Sequence, residues 1–188
     1  MIMKLNGRSA VWLVLFLSRA GFSADTVIPD CLAGGLPLAN NNVQVLQWKT
    51  NTNNQYRNRG HVSGPIEQIY PNINGHAHFE IQIGDTATDT LEVIYNESFG
   101  PLPELKTGMN IEACGDYITS TAQSGPYPPS PTGAIIHWIH RSPNLKKHDS
   151  GYLAIDGILY GQDAAHAGPK PHYPAPAPGP SDSVRLGY

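Results

Sequence analysis

The stretch "HFEIQI", residues 78–83, contains the pattern that decides the fold. Polar and apolar residues alternate along it. One face therefore carries a histidine, a glutamate and a glutamine, and the other carries a phenylalanine and two isoleucines. Successive side chains of a β-strand point to opposite faces of a sheet, so this period of two predicts a half-buried strand.

Other short segments have the same β-branched or aromatic character. They are predicted as strands at residues 43–48, 91–95, 110–118 and 134–140. The Asp156-Gly157 pair, flanked by "YLAI" and "ILY", is the strongest hairpin signal in the chain. No long window shows a helical stripe. Roughly six to eight short strands predict an all-β fold. We expect a small closed or partly open antiparallel β-barrel of OB type, because closure leaves few open sheet edges.

The chain begins like an exported protein. Lys4 and Arg8 precede the apolar run "AVWLVLFL" at residues 10–17, and small residues follow it. This order is that of a signal peptide, and the run is far shorter than the roughly 20 apolar residues that a transmembrane helix needs. We expect a cleaved signal peptide at residues 1–23 and a secreted or periplasmic bacterial protein. A buried N-terminal helix is the alternative.

The remainder is predicted to form one domain. Residues 24–61 form an N-terminal segment with the first strand at 43–48, between Asn-rich loops at 40–42 and 50–59. Residues 62–162 form the β-barrel. Residues 163–188 are rich in Pro, Ala and Gly and are predicted to be a disordered tail.

The cysteines and the charge balance bear on the compartment and the partners. Cys31 and Cys114 predict a disulfide in an oxidising compartment, and two free buried thiols are the alternative. Removal of residues 1–23 changes the balance from 12 basic and 15 acidic residues to 9 and 15, a formal charge of −6. Proteins that bind nucleic acid through its phosphates need a basic face, so nucleic acid is disfavoured as a partner.

The stretch "GAIIHWIHRSPNLKKHDSGY", residues 133–152, concentrates ionisable and aromatic side chains. We take His137, His140 and His148 as candidate catalytic residues. In a regular strand His137 points away from Trp138 and His140, so these two histidines cannot bind one ion without a bulge. The other interpretation is structural: Trp138 anchors the strand in the core, while His140 and His148 hold the loop between them.

Two further histidines extend the candidate metal site. His76 and His78 share one face of a predicted strand, and such a pair can hold a metal ion. Imidazole suits Zn²⁺ or Cu²⁺, and three histidines with an open position suit a catalytic zinc. The candidate metal ligands are His76, His78, His137 and His140, with Zn or Cu as the candidate ion.

The order of motifs resembles a domain-of-unknown-function family of small secreted bacterial proteins with a His-Trp-x-His…His-x-x-Gly-aromatic motif. The matching stretches within residues 62–162 are "HAHF", "VIYN", "KTGMNIEACGDY", "GAIIHWIH", "HDSGY" and "GILY". Tyr95 stands where the family tends to have a histidine beside Asn96, and Ile139 replaces a threonine in the His-Trp motif. The resemblance implies where the site lies, with Asn96 and Tyr95 as candidate binding residues, and implies no reaction.

Two function classes follow. The first is a β-barrel module that binds an unidentified ligand or protein partner across one face. The second is a metal-dependent hydrolase of phosphoesters or glycans that uses the histidines. Three rings that converge around an exposed hollow favour the enzyme, and separately hydrogen-bonded rings favour the binding module.

Overall fold

The computed structural model describes residues 27–145 and 148–163, so the predicted signal peptide and the tail from residue 164 onwards lie outside the described residues. The described part is mostly strands, with one α-helix. In chain order its elements are β1 Leu32–Ala33, β2 Leu36–Pro37, α1 Asn42–Asn51, β3 Arg57–Ile69, β4 His76–Gln82, β5 Thr90–Asn96, β6 Asn110–Thr119, β7 Ala134–His137, β8 Tyr152–Ile155 and β9 Ile158–Tyr160. A short 3₁₀ turn, Glu97–Phe99, follows β5.

Five strands close a barrel in the order β3-β4-β5-β7-β6, and β6 returns to pair with β3. The predicted all-β barrel is therefore confirmed. The β5–β7 pairing is parallel, with Glu92 beside Ile135, whereas the other pairings are antiparallel. A five-stranded closed sheet in which only this pair is parallel is OB-like.

Strand β3 belongs to the barrel, and β8 and β9 extend its sheet. The 13-residue strand β3 pairs with β6 along its first part and with β4 from Ile66 onwards, with an irregularity between Ile66 and Gln68. The β8–β9 hairpin extends the sheet beside β6. Its turn is the predicted Asp156-Gly157 pair, and both residues have positive φ, at 49° and 81°. This is the backbone that two-residue hairpins require.

The barrel interior contains the apolar face that the alternating pattern predicts. Phe79 and Ile81 of β4 are fully buried, whereas His78 and Glu80 on the opposite face are half-buried. Burying each such apolar side chain stabilises the fold by about 1.5–3 kcal/mol. The same alternation places the histidines of β4 on the outer surface of the barrel.

The predicted first strand at residues 43–48 is wrong, because these residues belong to helix α1. Val45 is fully buried, and Leu46 and Trp48 pack partly against the barrel core, whereas Val43 is 71% exposed. The helix is stabilised by this packing against the barrel rather than by a strong amphipathic stripe. The predicted loop at 50–59 also ends early, since β3 begins at Arg57. No helix among the described residues has the length and apolar character to cross a membrane.

The predicted disulfide between Cys31 and Cys114 is confirmed, with Cα atoms 5.5 Å apart and a sequence separation of 83. Because Cys114 lies on the outer face of β6, the bond fastens the N-terminal segment to the outside of the barrel. A second, small core forms there from Cys31, Cys114 and Tyr152 with Ile28, Leu38 and Leu159. Closing a loop of this length stabilises a fold by about 4 kcal/mol in the chain-entropy model.

Candidate functional site

A cluster of aromatic and imidazole rings lies where strand β7 ends. We name it the ring cluster, and its members are His76, Phe99, His137, Trp138, His140 and His148. The rings of His76 and His137 have centroids 5.9 Å apart, and those of His137 and Trp138 are 5.5 Å apart. The ring of Trp138 lies 5.5 Å from that of His140 and 4.6 Å from that of His148. The fold thus brings four of the predicted site histidines together.

The ring cluster depends on a break in strand β7. The strand ends at His137, and Trp138 has a φ of +56°, in the left-handed region that non-glycine residues seldom adopt. This turn of the backbone leaves Trp138 half-buried and places Ile139, which is fully buried, in the core. The expectation that Trp138 anchors the core is therefore wrong. The expectation assumed that strand β7 continues through Trp138. The strand ends one residue earlier, at His137, so the in–out alternation does not extend to the tryptophan.

The closing glycine of the His-rich stretch makes room for this turn. A Cβ atom on Gly151 would lie 2.2 Å from the carbonyl oxygen of Trp138 and 2.3 Å from that of Cys114. A Cβ on Gly115 would lie 2.4 Å from the carbonyl oxygen of His137. The backbones of β6, the Trp138 turn and residue 151 thus approach at distances that only glycine permits.

His148 is oriented by a carboxylate. Its Nδ1 donates to Asp116 Oδ2 at 2.9 Å, and the other oxygen of Asp116 pairs with Arg59 Nη1 at 2.8 Å. Asp116 lies directly opposite His137 in the β6–β7 register and opposite Arg59 in the β3–β6 register. Because the carboxylate holds the Nδ1 proton, Nε2 of neutral His148 keeps its lone pair.

His140 is the most enclosed member of the ring cluster. It is 3% exposed, its ring stacks on Phe99 with centroids 3.6 Å apart, and its Nδ1 donates to the carbonyl oxygen of Arg141 at 2.9 Å. Burial lowers the pKa of His140 below its usual range. Its own carbonyl oxygen accepts from the backbone N–H of Gly151 at 2.8 Å. His140 and His148 thus hold the two ends of the intervening loop, of which residues 146–147 lie outside the described part.

His137 is a half-buried histidine that makes ring contacts only. Burial lowers its pKa to about 4, and the neighbouring imidazoles of His76 and His140 contribute in the same direction. Within the described part of the chain its ring contacts other rings and forms no hydrogen bond. Since every fully enclosed side-chain nitrogen or oxygen there has a partner, the ring nitrogens of His137 are not fully enclosed.

His76 and His78 share the outer face of β4 as predicted, but they have different partners. His76 Nδ1 lies 3.2 Å from the carbonyl oxygen of Asn74, and its ring faces His137. His78 Nδ1 donates to Glu92 Oε1 at 2.8 Å, and Glu92 is buried. His78 therefore belongs to a separate pair with Glu92.

The two candidate binding residues have structural contacts. Tyr95 is fully buried inside the barrel, where its hydroxyl donates to the carbonyl oxygen of Gly100 at 2.8 Å and burial raises its pKa to about 12. The side chain of Asn96 accepts from the backbone N–H of Ser98 at 3.0 Å and caps the 3₁₀ turn. Tyr95 is therefore not on the surface, while Asn96 lies opposite His76 in the β4–β5 register.

Among the residues that the structure describes, no group of three or more His, Cys, Asp or Glu side chains is arranged to hold a metal ion. The ring cluster brings imidazoles near one another, but its members also contact aromatic rings, backbone carbonyls and a carboxylate. The histidines therefore combine features of the two expected arrangements. Their rings lie near one another, as expected for an enzyme, yet several are separately hydrogen-bonded, as expected for a binding module.

Sequence reasoning did not identify Arg59, which fell in a predicted loop. Arg59 is 9% exposed. Its Nε donates to the carbonyl oxygen of Leu32 at 2.9 Å, and its Nη2 donates to the carbonyl oxygen of Ser150 at 2.6 Å. With its Asp116 pairing, it connects the N-terminal segment to the His148 loop. No sequence pattern signals this role, because its partners are distant in the chain.

A second polar cluster lies beside a shallow cleft of about 450 Å³ under the N-terminal segment. His61 Nδ1 donates to the carbonyl oxygen of Leu38 at 2.7 Å, and its Nε2 lies 3.0 Å from Glu112 Oε1. The hydroxyl of Tyr152 donates to the same Glu112 oxygen at 2.5 Å. These contacts fasten the N-terminal segment to β6 and β8.

No family model, curated protein or solved structure matches the chain. The three distinguishing features of the ring cluster are the surface-directed turn at Trp138, the neutral imidazole of His137 and the carboxylate that orients His148.

Proposed function

We propose that this protein is a secreted or periplasmic binding module that holds an unidentified ligand on its ring cluster. The observation that carries the proposal is the positive φ of Trp138. Such a backbone conformation costs about 1–3 kcal/mol and is found preferentially at ligand-binding and active sites. Here it displays an indole between the rings of His137 and His148.

The chemistry of the surface suggests the kind of ligand. Indole and imidazole faces pack against flat or ring-shaped groups, and free ring nitrogens supply directional hydrogen bonds. His137 is neutral at physiological pH because burial lowers its pKa to about 4. A ligand with a sugar or aromatic ring and few charges fits these features better than a polyanion.

The position in the fold is consistent with this proposal. OB-type barrels commonly bind through the face of their second and third strands and the adjoining loops. These strands are β4 and β5 here, and His76 of β4 belongs to the ring cluster. The analogy concerns the fold alone. The disulfide is compatible with an oxidising compartment.

We also propose that the chain belongs to the uncharacterised family that its motif order resembles. The support is spatial, because the separate motif residues His137, Trp138, His140, His148 and Gly151 meet at one place. A shared surface explains why a His-Trp-x-His motif is followed by His-x-x-Gly.

Ligand screening by NMR tests the binding proposal. A panel of soluble oligosaccharides and aromatic fragments is added to ¹⁵N-labelled protein in buffer that contains EDTA. Shift changes should concentrate at His76, His137, Trp138 and His148, and Trp138→Ala should weaken binding at least tenfold. Trp48→Phe, in helix α1, where the indole packs against Tyr56 and Tyr117, is the control. Ligands that shift only the cleft beside His61, or that bind Trp138→Ala as tightly as the wild type, would overturn the proposal.

A metal-dependent hydrolase of phosphoesters or glycans is the second candidate. It is supported by the Asp116–His148 pair, because a carboxylate that holds Nδ1–H leaves Nε2 available as a base. The test is hydrolysis of a chromogenic phosphodiester and a chromogenic glycoside with and without Zn²⁺. Activity that depends on Zn²⁺ and is lost in His148→Ala supports the enzyme. Equal background rates for wild type and variant reject it for these substrates.

A further inference from the structure

We propose that His76 and His137 form a two-histidine site for one Cu²⁺ or Zn²⁺ ion, with its remaining positions open to water or an added ligand. The proposal goes beyond the ligand surface described above, because it rests on these two imidazoles alone. It also differs from a closed structural zinc site, which requires four protein ligands.

The separation of the two rings fits a shared ion. A metal ion bonded to an imidazole nitrogen at about 2.0–2.1 Å lies about 3.2 Å from the ring centroid. Two imidazoles on one ion therefore have centroids about 4.5–6.4 Å apart for angles from about 90° to 180° at the metal. The centroids of His76 and His137 are 5.9 Å apart, with the ring planes tilted by 59°. The centroid separation of His76 and His137 therefore falls within the range for two imidazoles on one ion.

Both imidazoles have a lone pair to donate. The ring of His76 holds its Nδ1 proton toward the carbonyl oxygen of Asn74, so Nε2 is left unprotonated in the neutral tautomer. A backbone carbonyl on the second nitrogen is the contact that usually orients a metal-bound histidine. The ring nitrogens of His137 are not fully enclosed and make no hydrogen bond with the described residues.

The site is limited to two protein ligands, because no group of three or more His, Cys, Asp or Glu side chains among the described residues is arranged to hold a metal ion. The ring of His140 is stacked on Phe99, and His78 pairs with the carboxylate of Glu92. An ion held by two imidazoles keeps open positions and exchanges readily. Among divalent ions, imidazole nitrogen favours Cu²⁺ over Zn²⁺, whereas Mg²⁺ and Ca²⁺ require oxygen ligands.

Copper titration of the full, untagged chain tests this site, with Trp138 as the reporter. The indole of Trp138 lies 5.5 Å from the His137 ring, so Cu²⁺ bound there should quench its fluorescence. In a Trp12→Phe/Trp48→Phe background, where Trp138 is the one remaining tryptophan of the chain, we expect saturable quenching by one equivalent of Cu²⁺. Zn²⁺ should compete for the site. His76→Ala and His137→Ala should each weaken Cu²⁺ binding at least tenfold.

Two controls separate this site from other histidines. His78→Gln changes the neighbouring histidine of the same strand face, and its affinity for Cu²⁺ should stay within twofold of wild type. The double variant His166→Ala/His172→Ala removes the histidines beyond the described residues and should also bind normally. Melting curves of the metal-free variants show whether each one is folded. If one of the two histidine variants does not fold, the Cu²⁺ affinity of the other is compared with that of the wild type.

The proposal is overturned if quenching does not saturate, if a folded His76→Ala or His137→Ala variant binds Cu²⁺ like the wild type, or if binding disappears with His166 and His172. These results leave the ligand proposal standing, because its test is made in EDTA. Conversely, one-equivalent Cu²⁺ binding that each folded histidine variant weakens supports the metal site whether or not an organic ligand is found.

Discussion

The ring of His148 lies flat against the ring of Trp138, with centroids 4.6 Å apart and planes 11° apart. His148 is in turn held by Asp116 of β6, at 2.9 Å. The indole is therefore positioned from both sides, by its own left-handed backbone and by an imidazole that a neighbouring strand orients. This pairing explains how a half-buried tryptophan keeps one orientation on the outer surface.

The first prediction compares the two neighbours Trp138 and Ile139. Ile139→Ala should destabilise the protein by about 2–5 kcal/mol, because it empties a fully buried core position. Trp138→Ala should cost only about 1 kcal/mol, because a half-buried ring loses less apolar burial. Urea denaturation of both variants gives the comparison. A larger loss for Trp138→Ala than for Ile139→Ala would mean that the indole, and not the isoleucine, fills the core.

The second prediction concerns the close approach at Gly151. Gly151→Ala places a methyl group within 2.3 Å of two carbonyl oxygens and should destabilise the fold by about 3 kcal/mol or more. Gly108→Ala is the matched control: it meets nothing within 4 Å, and its φ of +85° alone should cost about 1 kcal/mol. Thermal melts of both variants measure the difference. Equal melting temperatures would show that the three backbones are less tightly packed than described.

The third prediction concerns the Arg59–Asp116 ion pair. Asp116→Asn and Arg59→Met should each destabilise the protein by about 2–4 kcal/mol, because each leaves a partly buried group without its charged partner. The loss of unfolding free energy in the double variant should be smaller than the sum of the two single losses by about 1–3 kcal/mol. A double-mutant cycle in urea measures this coupling. Strictly additive losses would show that the pairing contributes nothing of its own.

Much of the barrel could be predicted from the sequence, because polar and apolar residues alternate along its strands and so distinguish the inner from the outer face of the sheet. Phe79 and Ile81 are inside and His78 and Glu80 are outside, as the period of two predicts. The Asp-Gly hairpin is equally local, since its turn needs two residues of positive φ. The disulfide followed from the expected compartment and the even count of cysteines.

The parts that sequence reasoning missed depend on tertiary packing. The alternation at residues 43–48 suits a strand, yet Val45 and Trp48 pack against the barrel from one side of a helix. The sequence "HWIH" does not predict the left-handed backbone conformation of Trp138, because that conformation depends on the close contacts with β6 and Gly151. The location of the candidate site was therefore predictable, but the direction of its central ring was not.

The fourth prediction concerns the disulfide and the segment it fastens. Cys31→Ser/Cys114→Ser should destabilise the protein by about 2–5 kcal/mol. Hydrogen exchange should rise in the N-terminal segment, at Leu32 and Gly34. The effect should reach the ring cluster, because the Leu32 carbonyl contacts Arg59 and the Gly34 N–H contacts Asp149 at 2.7 Å. Unchanged exchange around His148 would show that the segment and the cluster are independent.

The last prediction is a loss of stability in mild acid that depends on His137. Its pKa is about 4 in the folded protein, against 6.5 for the unperturbed side chain. Between these two values the unfolded chain binds a proton that the folded protein does not. The free energy of unfolding should therefore fall as the pH drops from about 6.5 to about 4, by up to about 3 kcal/mol from this group.

The imidazoles of His76, His140 and His78 raise this acid sensitivity, while the carboxylate of Asp116 across the β6–β7 pair opposes it. His137→Gln removes the titrating group, so its unfolding free energy should change less over the same pH range than that of the wild type. His78→Gln, on the same outer surface, is the control and should keep the wild-type dependence. NMR titration of the His137 ring gives the direct measurement: a midpoint near 4 is expected, and a midpoint near 6.5 would show that burial does not lower the pKa of this ring.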